Sequence, residues 1–473
     1  AGTLSWDAII ERAEARLRQM RSHEGVWRGR LSSSALSTAT AIVALWSVDR
    51  QRHAARIQSG ACWLTANQNA DGGWGDTTLS RSNLSTTMLC WSALRACNVG
   101  VEGSAAAVHL AEQWRARQAG AIDPETLRAA VVARYGKDKT FSVPILMLCC
   151  ICGTMGEGAE GWRRVLPLPF ELAALPRDWF GKIGLPVVSY ALPALIAIGH
   201  ARYRLAPPAW WNPMGWLRRL AWPRVRPMLK SLQPSSGGYL EGTPLTSCVT
   251  MALAAAGEAG HPCVADAVAF LERSMREDGS WPIDTDLATW GTTLSVKSGV
   301  RVDDGEKAVI TRWLLGQQYR EIHPFTNAAP GGWAWTELPG GVPDADDTAG
   351  ALLALHALGH GAEDAVPAAL RWLLDLQNRD GGIPTFCRGW GALPFDRSAP
   401  ELTAHALAAW WLWKSRISDK KLKERIDAAT RRALRYLQYV QQADGSWIPL
   451  WFGNESARDE ANPVYGTAQV VNY

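Results

Sequence analysis

The stretch GGVPDADDTAGALLAL, residues 340–355, places Asp344, Asp346 and Asp347 within four positions and follows them with an apolar run. Three chemistries suit such a cluster. A helix N-terminus takes a capping Asp and tolerates further carboxylates against its positive end; Pro343 just before the cluster fits that role. Clustered carboxylates also hold magnesium. The third chemistry is acid work. A carboxyl group kept dry at the mouth of an apolar space stays neutral by desolvation. Neighbours that stabilise the carboxylate left behind then make its proton easier to give. Capping does not need three acids, and no basic diphosphate clamp accompanies the cluster, so acid work is the better fit.

The rest of the composition agrees with a dry interior. Of 473 residues, 47% are hydrophobic and 20% charged, which describes a globular chain with a large core. The net charge of +4 is too small for this length to imply a nucleic-acid partner. Tryptophan is the outlier, with 25 residues against 8 Phe and 9 Tyr; it is a costly filler because its N–H wants an acceptor. The nine cysteines are odd in number and irregular in spacing, and the CCIC cluster at 149–152 has no histidine or second Cys pair beside it. Free buried thiols are therefore expected, rather than disulfides or a metal centre. No signal peptide is visible and no apolar run is long enough to span a bilayer.

The elements that must position the acids are helices. Segments such as STATAIVALWSV, TAGALLALHAL and TAHALAAWWLWKS are rich in Ala, Leu and Trp and are separated by Asp-Gly and Gly-Gly turns. Four segments repeat one pattern: CWLTANQNADGGW (62–74), AFLERSMREDGSW (269–281), RWLLDLQNRDGGI (371–383) and RYLQYVQQADGSW (435–447). In each, an aromatic (Trp63, Phe270, Trp372, Tyr436) is followed five residues on by Gln68, Met275, Gln377 or Gln441, and eleven on by Trp74, Trp281, Ile383 or Trp447. A looser copy runs from RWLLGQQ at 312 to GGW at 331–333. The spacing predicts a helix end, a tight turn and a ring stacked back on the helix, with the Gln amide bonding the free N–H groups of the next helix. Repeated along the chain, this gives stacked α-hairpins closing into all-α (α/α) toroids.

These repeats resemble the QW motifs of the squalene–hopene and oxidosqualene cyclases, and PDADDTA resembles the DxDD motif of class II terpene cyclases, squalene–hopene cyclase above all. GSWIPLWFGNE and NPVYGTA are similar to a stretch late in the same pattern. The resemblance runs from about residue 25 to the last residue. It implies acid-initiated cyclisation of squalene or a squalene-like polyprene to a hopanoid-type triterpene, an isomerase or lyase activity, with no metal or organic cofactor. Protonating an alkene needs an acid far stronger than an ordinary aspartic acid. The resemblance makes Asp346 the donor, Asp344 and Asp347 its support, and His405 in ELTAHALAAW a cationic partner of the conjugate base.

It also assigns aromatic faces that stabilise cations without capturing them, worth roughly 2 kcal/mol each in a dry pocket. The matching positions are Trp290, Trp335, Trp451 and Tyr465, with Tyr190 standing where the first half carries a tryptophan. Cys387 matches a residue near the substrate entry. The segment RDGGIPTFC is shorter than its counterpart and lacks a tyrosine found there, which leaves the substrate and product open. The alternatives are a soluble, magnesium-dependent cyclase of prenyl diphosphates and an inactive lipid-binding toroid.

The segment 208–232 places Trp210, Trp211, Trp216 and Trp222 beside Arg218 and Arg219. Prolines interrupt it. Indoles at headgroup level with cations toward phosphate are what an interfacial segment needs. The expected partners are thus a polyprene hydrocarbon and a membrane surface, with a homodimer left open, and the expected place is the cytoplasmic face of a bacterial cell membrane, held monotopically. The domains expected are a helix at 1–21 packed on the catalytic domain, a toroid at 22–258 carrying the docking segment, and a catalytic toroid at 259–473. Squalene–hopene cyclases continue beyond the point matching VYGTAQVVNY, so the sequence is expected to be a truncated chain.

Overall fold

The computed structural model describes residues 5–473 except 98–99, 121–122, 137, 177–191, 325, 362, 389–393 and 458. The described residues fall into two helical units, one of residues 31–176 and 192–285, the other of 5–30 and 286–473. The boundaries therefore lie at 30/31 and 285/286, not at 21/22 and 258/259. The reason is packing of the turns. Trp281 pairs with Ser34 in a two-stranded antiparallel ladder and donates its backbone N–H to Thr38 Oγ1, which ties 259–285 to the first unit. Trp27 instead bonds Thr292 through its backbone N–H, which ties 22–30 to the second.

In the first unit the helices Ala35–Asp49, Leu84–Ala96, Lys139–Ile151, Leu192–Leu205 and Thr243–Ala255 each pack on the next, and the last returns to the first. This closed inner ring is built of small and apolar residues buried on nearly every face, the pattern of a helix with no solvent side. Ala54–Ala66, Ser104–Ala119, Pro124–Tyr135, Pro213–Ser231 and Pro262–Ser274 lie outside it. The CCIC cluster begins inside the inner helix Lys139–Ile151, and the nine cysteines are free. In the second unit the inner helices Ala288–Lys297, Ala345–Ala357, Pro400–Lys414 and Pro463–Asn472 follow one another, with Asp304–Gly316, Ala365–Leu376 and Lys420–Val440 outside. The N-terminal helix Trp6–Gln19 packs on this unit: Glu14 pairs with Arg301, and Trp27 Nε1 donates to Leu17 O at 2.7 Å.

The repeat is a four-point staple. At Trp74 the indole donates to Leu64 O (2.9 Å), the backbone N–H donates to Thr87 Oγ1 (3.0 Å), and Gln68 Nε2 donates to Gly72 O (2.8 Å) and Ala107 O (2.9 Å). The Gln amide thus bonds carbonyls, not the free N–H groups expected of the next helix. Gln318 and Gln377 make the same pair of bonds, to Gly331 O and Ala365 O and to Gly381 O and Ala429 O. Two copies escaped the sequence pattern. Tyr239 stands in the Trp place, with its hydroxyl on Leu229 O and Gln233 bridging Gly237 O and Cys263 O. Trp27 is the other, with its indole on Leu17 O. Each staple satisfies backbone groups that would otherwise be orphaned at a helix end. Gly72, Gly279, Gly381 and Gly445 adopt left-handed φ values from 85° to 95° in these turns, a conformation that glycine takes without strain.

Candidate active site

Three consecutive staples of the second unit set the candidate residues. Trp333 N–H donates to Thr348 Oγ1 and Trp333 O accepts from Asp344 N–H at 2.9 Å, so the turn clamps the start of the Ala345–Ala357 helix. Ile383 N–H donates to Thr403 Oγ1 at 2.9 Å and clamps Pro400–Lys414. Trp447 N–H donates to Thr467 Oγ1 at 3.1 Å and clamps Pro463–Asn472. Asp346, His405 and Tyr465 each lie two residues from the clamping threonine, on helices that are neighbours in space.

The three acids have different environments. Asp344 is the N-cap: its carboxyl accepts from Asp347 N–H at 2.9 Å, and it is buried. Burial pushes its pKa up to about 7, against the pull of that hydrogen bond. Burial and the neighbouring Asp344 and Asp346 push Asp347 well above the usual carboxylate range. Both members of the sealed pair are thus biased toward the neutral form. Asp346 differs on both counts. Its side chain keeps 34% of its surface open while its two neighbours are sealed. Burial pushes it up, but the His405 hydrogen bond, the charges of His405 and Lys297 and the Trp290 indole outweigh that and hold it below the usual range.

The partners of Asp346 are close. His405 Nδ1 lies 2.8 Å from Oδ1, and Trp290 Nε1 donates to Oδ2 at 3.2 Å. Behind the imidazole, Lys297 Nζ is 3.0 Å from His405 Nε2 and donates to the Tyr473 hydroxyl at 3.1 Å; the Tyr473 ring stacks on the imidazole at 4.4 Å. Lys297 closes the end of Ala288–Lys297 and was not visible as a functional residue in the sequence. Burial and the Lys297 charge lower the His405 pKa, against the Asp346 hydrogen bond. A carboxylic acid whose conjugate base has an imidazole bond and an indole bond waiting for it is a stronger acid than one in water.

An aromatic run accompanies the acid within the same unit. Trp335 lies 6.3 Å from Phe386, Phe386 lies 6.4 Å from Phe395, and Phe395 lies 6.3 Å from Trp451, all centroid to centroid. Trp335 O also accepts from the N–H groups of Thr289 and Trp290, which fixes the start of the helix carrying Trp290. Trp451 Nε1 donates to Thr385 Oγ1 at 2.8 Å. Tyr465 packs on Phe452 at 4.9 Å, and its pKa is raised by burial and then by Asp346 and Glu401. Cys387 is half-buried, with burial raising its thiol to about 12. Phe386, Phe395 and Phe452 were missed in the sequence because single phenylalanines carry no spacing signal. Tyr190 lies outside the described residues. Among those residues no group of three or more His, Cys, Asp or Glu side chains is placed to hold a metal ion.

The basic aromatic segment forms one helix, Pro213–Ser231, with Pro223 and Pro227 inside it rather than breaking it. Trp210, Trp211, Met214, Trp216, Leu217 and Leu220 are exposed, and so is Arg219. Trp222 and Arg218 are not part of that face. Trp222 stacks on His200 at 3.4 Å between centroids, and Arg218 pairs with the buried Glu171 at 3.0 Å. They lie on the inward stripe with Val225 and Leu229. No described helix is long and apolar enough to cross a membrane.

The helical architecture has counterparts among solved structures. Solved structures of ent-copalyl diphosphate synthase from Arabidopsis thaliana and abietadiene synthase from Abies grandis share the fold. Their TM-scores are 0.53 and 0.51, at 13% and 17% identity, over 95% and 93% of this chain and 54% and 49% of theirs. Within that architecture the chain belongs to the squalene-hopene cyclase family: it matches the squalene-hopene cyclase N-terminal domain over residues 10–150 and the C-terminal domain over 283–473. It is 27% identical over 226 residues to squalene–hopene cyclase of Alicyclobacillus acidocaldarius, covering 41% of this chain and 32% of that protein. It is 25% identical to enfumafungin synthase of Hormonema carpetanum, over 86% of this chain and 35% of that protein. Sporulenol synthase of Bacillus subtilis is 27% identical over 33% of this chain and 26% of its own length. The matches thus span about a third or less of these relatives. Since they include fungal and bacterial proteins, the expected bacterial source does not follow from the family.

Proposed function

We propose that the protein is a class II triterpene cyclase that protonates a terminal alkene of squalene or a squalene-like polyprene from Asp346. The reading rests on one observation: of three clustered acids, Asp346 alone keeps an open surface, and it alone has His405 and Trp290 bonded to its two oxygens. In the first step the Asp346 proton passes to the alkene carbon, the alkene π pair forms the new C–H bond, and the carboxylate remains under the His405 and Trp290 hydrogen bonds. Burial biases Asp344 and Asp347 toward their neutral forms, which limits repulsion of that carboxylate. The carbocation then travels along the polyprene past Trp290, Trp335, Phe386, Phe395 and Trp451, whose faces stabilise it without supplying a nucleophile.

The exposed face at Trp210, Trp211, Trp216 and Leu220, with Arg219 beside it, suits docking on a membrane in which such a hydrocarbon dissolves. A hopanoid-type product and the cytoplasmic leaflet complete the reading. Incubation with squalene in liposomes, with and without magnesium, followed by mass analysis of the extract, tests it. The expected product has the mass of squalene, or of squalene plus water, and forms in both samples. Folded protein that leaves squalene unchanged, or that converts only a prenyl diphosphate with magnesium, overturns it.

A further inference from the structure

The acid of this site has a cation behind it that the DxDD motif does not include. Lys297 Nζ lies 3.0 Å from His405 Nε2, and His405 Nδ1 lies 2.8 Å from Asp346 Oδ1, so the three side chains form one line. His405 is buried, and its two ring nitrogens are thereby both occupied. An ammonium has three donors and no acceptor. Facing it, Nε2 must accept, and the single ring proton of a neutral imidazole then sits on Nδ1, aimed at Asp346. If the proton moves instead from Nζ to Nε2, the amine accepts and Nδ1 still carries its proton. In either arrangement the line holds one positive charge and one N–H directed at Asp346. Two charges, imidazolium and ammonium together, would set N–H against N–H at 3.0 Å in a buried place, which is strongly unfavourable.

We propose that Lys297 is a positioning residue that fixes the tautomer of His405 and carries the positive charge that stabilises the Asp346 carboxylate. The histidine then directs that single charge at Asp346 through its Nδ1–H and does not add a second one. Other ionisable groups around the line do not replace it. Burial raises Asp344 and Asp347 of the acid helix and Glu401 of the histidine helix toward their neutral forms, and Glu401 accepts from Leu450 N–H. Tyr465 and Tyr473, from the last inner helix and the residue after it, and Tyr436 of Lys420–Val440 are phenols raised by burial, with Tyr473 at about 12. Arg371 and Asp375 of Ala365–Leu376 are engaged with Asp419 and Arg425. Lys297 also holds the Tyr473 hydroxyl and lies 5.4 Å from its ring, which anchors the ammonium from the far side.

The proposal rests on Asp346 as the acid for its catalytic meaning, but its test does not need turnover. Nitrogen NMR of the full chain labelled in histidine, with His405→Gln to assign the signal, reads which ring nitrogen is protonated. The wild-type protein should show a proton on Nδ1 at neutral pH; a bare Nδ1 with Nε2 protonated overturns the proposal without any variant. In Lys297→Met the repulsion is gone while Asp346 stays, so the His405 titration should move to higher pH by about one unit or more. Lys297→Arg, which keeps the charge, should stay near wild type. An unchanged His405 tautomer and titration in Lys297→Met overturns it. If the enzyme turns over, the same Met variant should move the alkaline limb of the kcat profile to higher pH, because the Asp346 acid loses a charge that favours its ionised form, and lower its plateau about tenfold. An altered tautomer with no cyclase activity in any variant would refute the cyclase reading and leave the Lys297 assignment standing.

Discussion

Replacing Asp344 by Asn probes the acid cluster without touching the donor. Asn caps a helix as well as Asp does, so the bond from Asp347 N–H is retained. What changes is the charge. Below about pH 4 Asp344 is protonated in both the folded and the unfolded chain. As the pH rises toward 7 the unfolded chain releases that proton while the folded chain keeps it, because burial holds the folded pKa at about 7. The folded state binds more protons than the unfolded one in this window, so it loses stability as the pH rises through it. A displacement from 3.8 to about 7, at about 1.4 kcal/mol per unit, sets a ceiling of roughly 4 kcal/mol. Asp347 beside it is raised by burial as well, so the two titrate together and the expected gain at about pH 8 is roughly 2–4 kcal/mol. At about pH 4 variant and wild type should be equal. Hydrogen exchange in peptides covering residues 345–357, read against urea at both pH values, isolates the unit concerned. Wild type and Asp344→Asn running parallel with pH would refute the reasoning.

Two further outcomes follow from the same structure. Gln377→Leu removes the bonds to Gly381 O and Ala429 O and the Arg432 contact to Gln377 Oε1, and should cost roughly 2–4 kcal/mol in urea denaturation of the unit that carries it, because it leaves buried carbonyls unpaired. Trp211→Ser, Trp216→Ser and Leu220→Ser together should release the protein from anionic liposomes in co-sedimentation without lowering its melting temperature, at roughly 2 kcal/mol of lost burial per residue; Trp222→Ser should instead destabilise the fold, since that ring stacks on His200.

How much of this was legible depends on how the signal is carried. The repeat was legible wherever Trp, Gln and Gly recur at fixed offsets, because one turn geometry demands all three. It was lost at Tyr239, where a phenol does the indole's work, and at Trp27, where Arg21 stands in the Gln place. The acid cluster was legible as a cluster, but its division into one open acid and a sealed pair depends on depth and hydrogen bonding. His405 was legible only through resemblance. Lys297 was not legible at all: it lies 108 residues from His405 in sequence, and no periodicity links them. Trp222 and Arg218 were misplaced because Pro223 and Pro227 suggested a broken segment; in one continuous helix the spacing of Arg218, Trp222, Val225 and Leu229 marks the inward stripe.

The central claim is that the proton opening the reaction comes from Asp346. A carboxyl proton exchanges with water, so cyclisation run in deuterium oxide should place one non-exchangeable deuterium in the product, and Asp346→Asn, folded and bound to lipid as before, should form none. A cyclised product free of deuterium, or an Asp346→Asn protein that still cyclises squalene, would contradict the account.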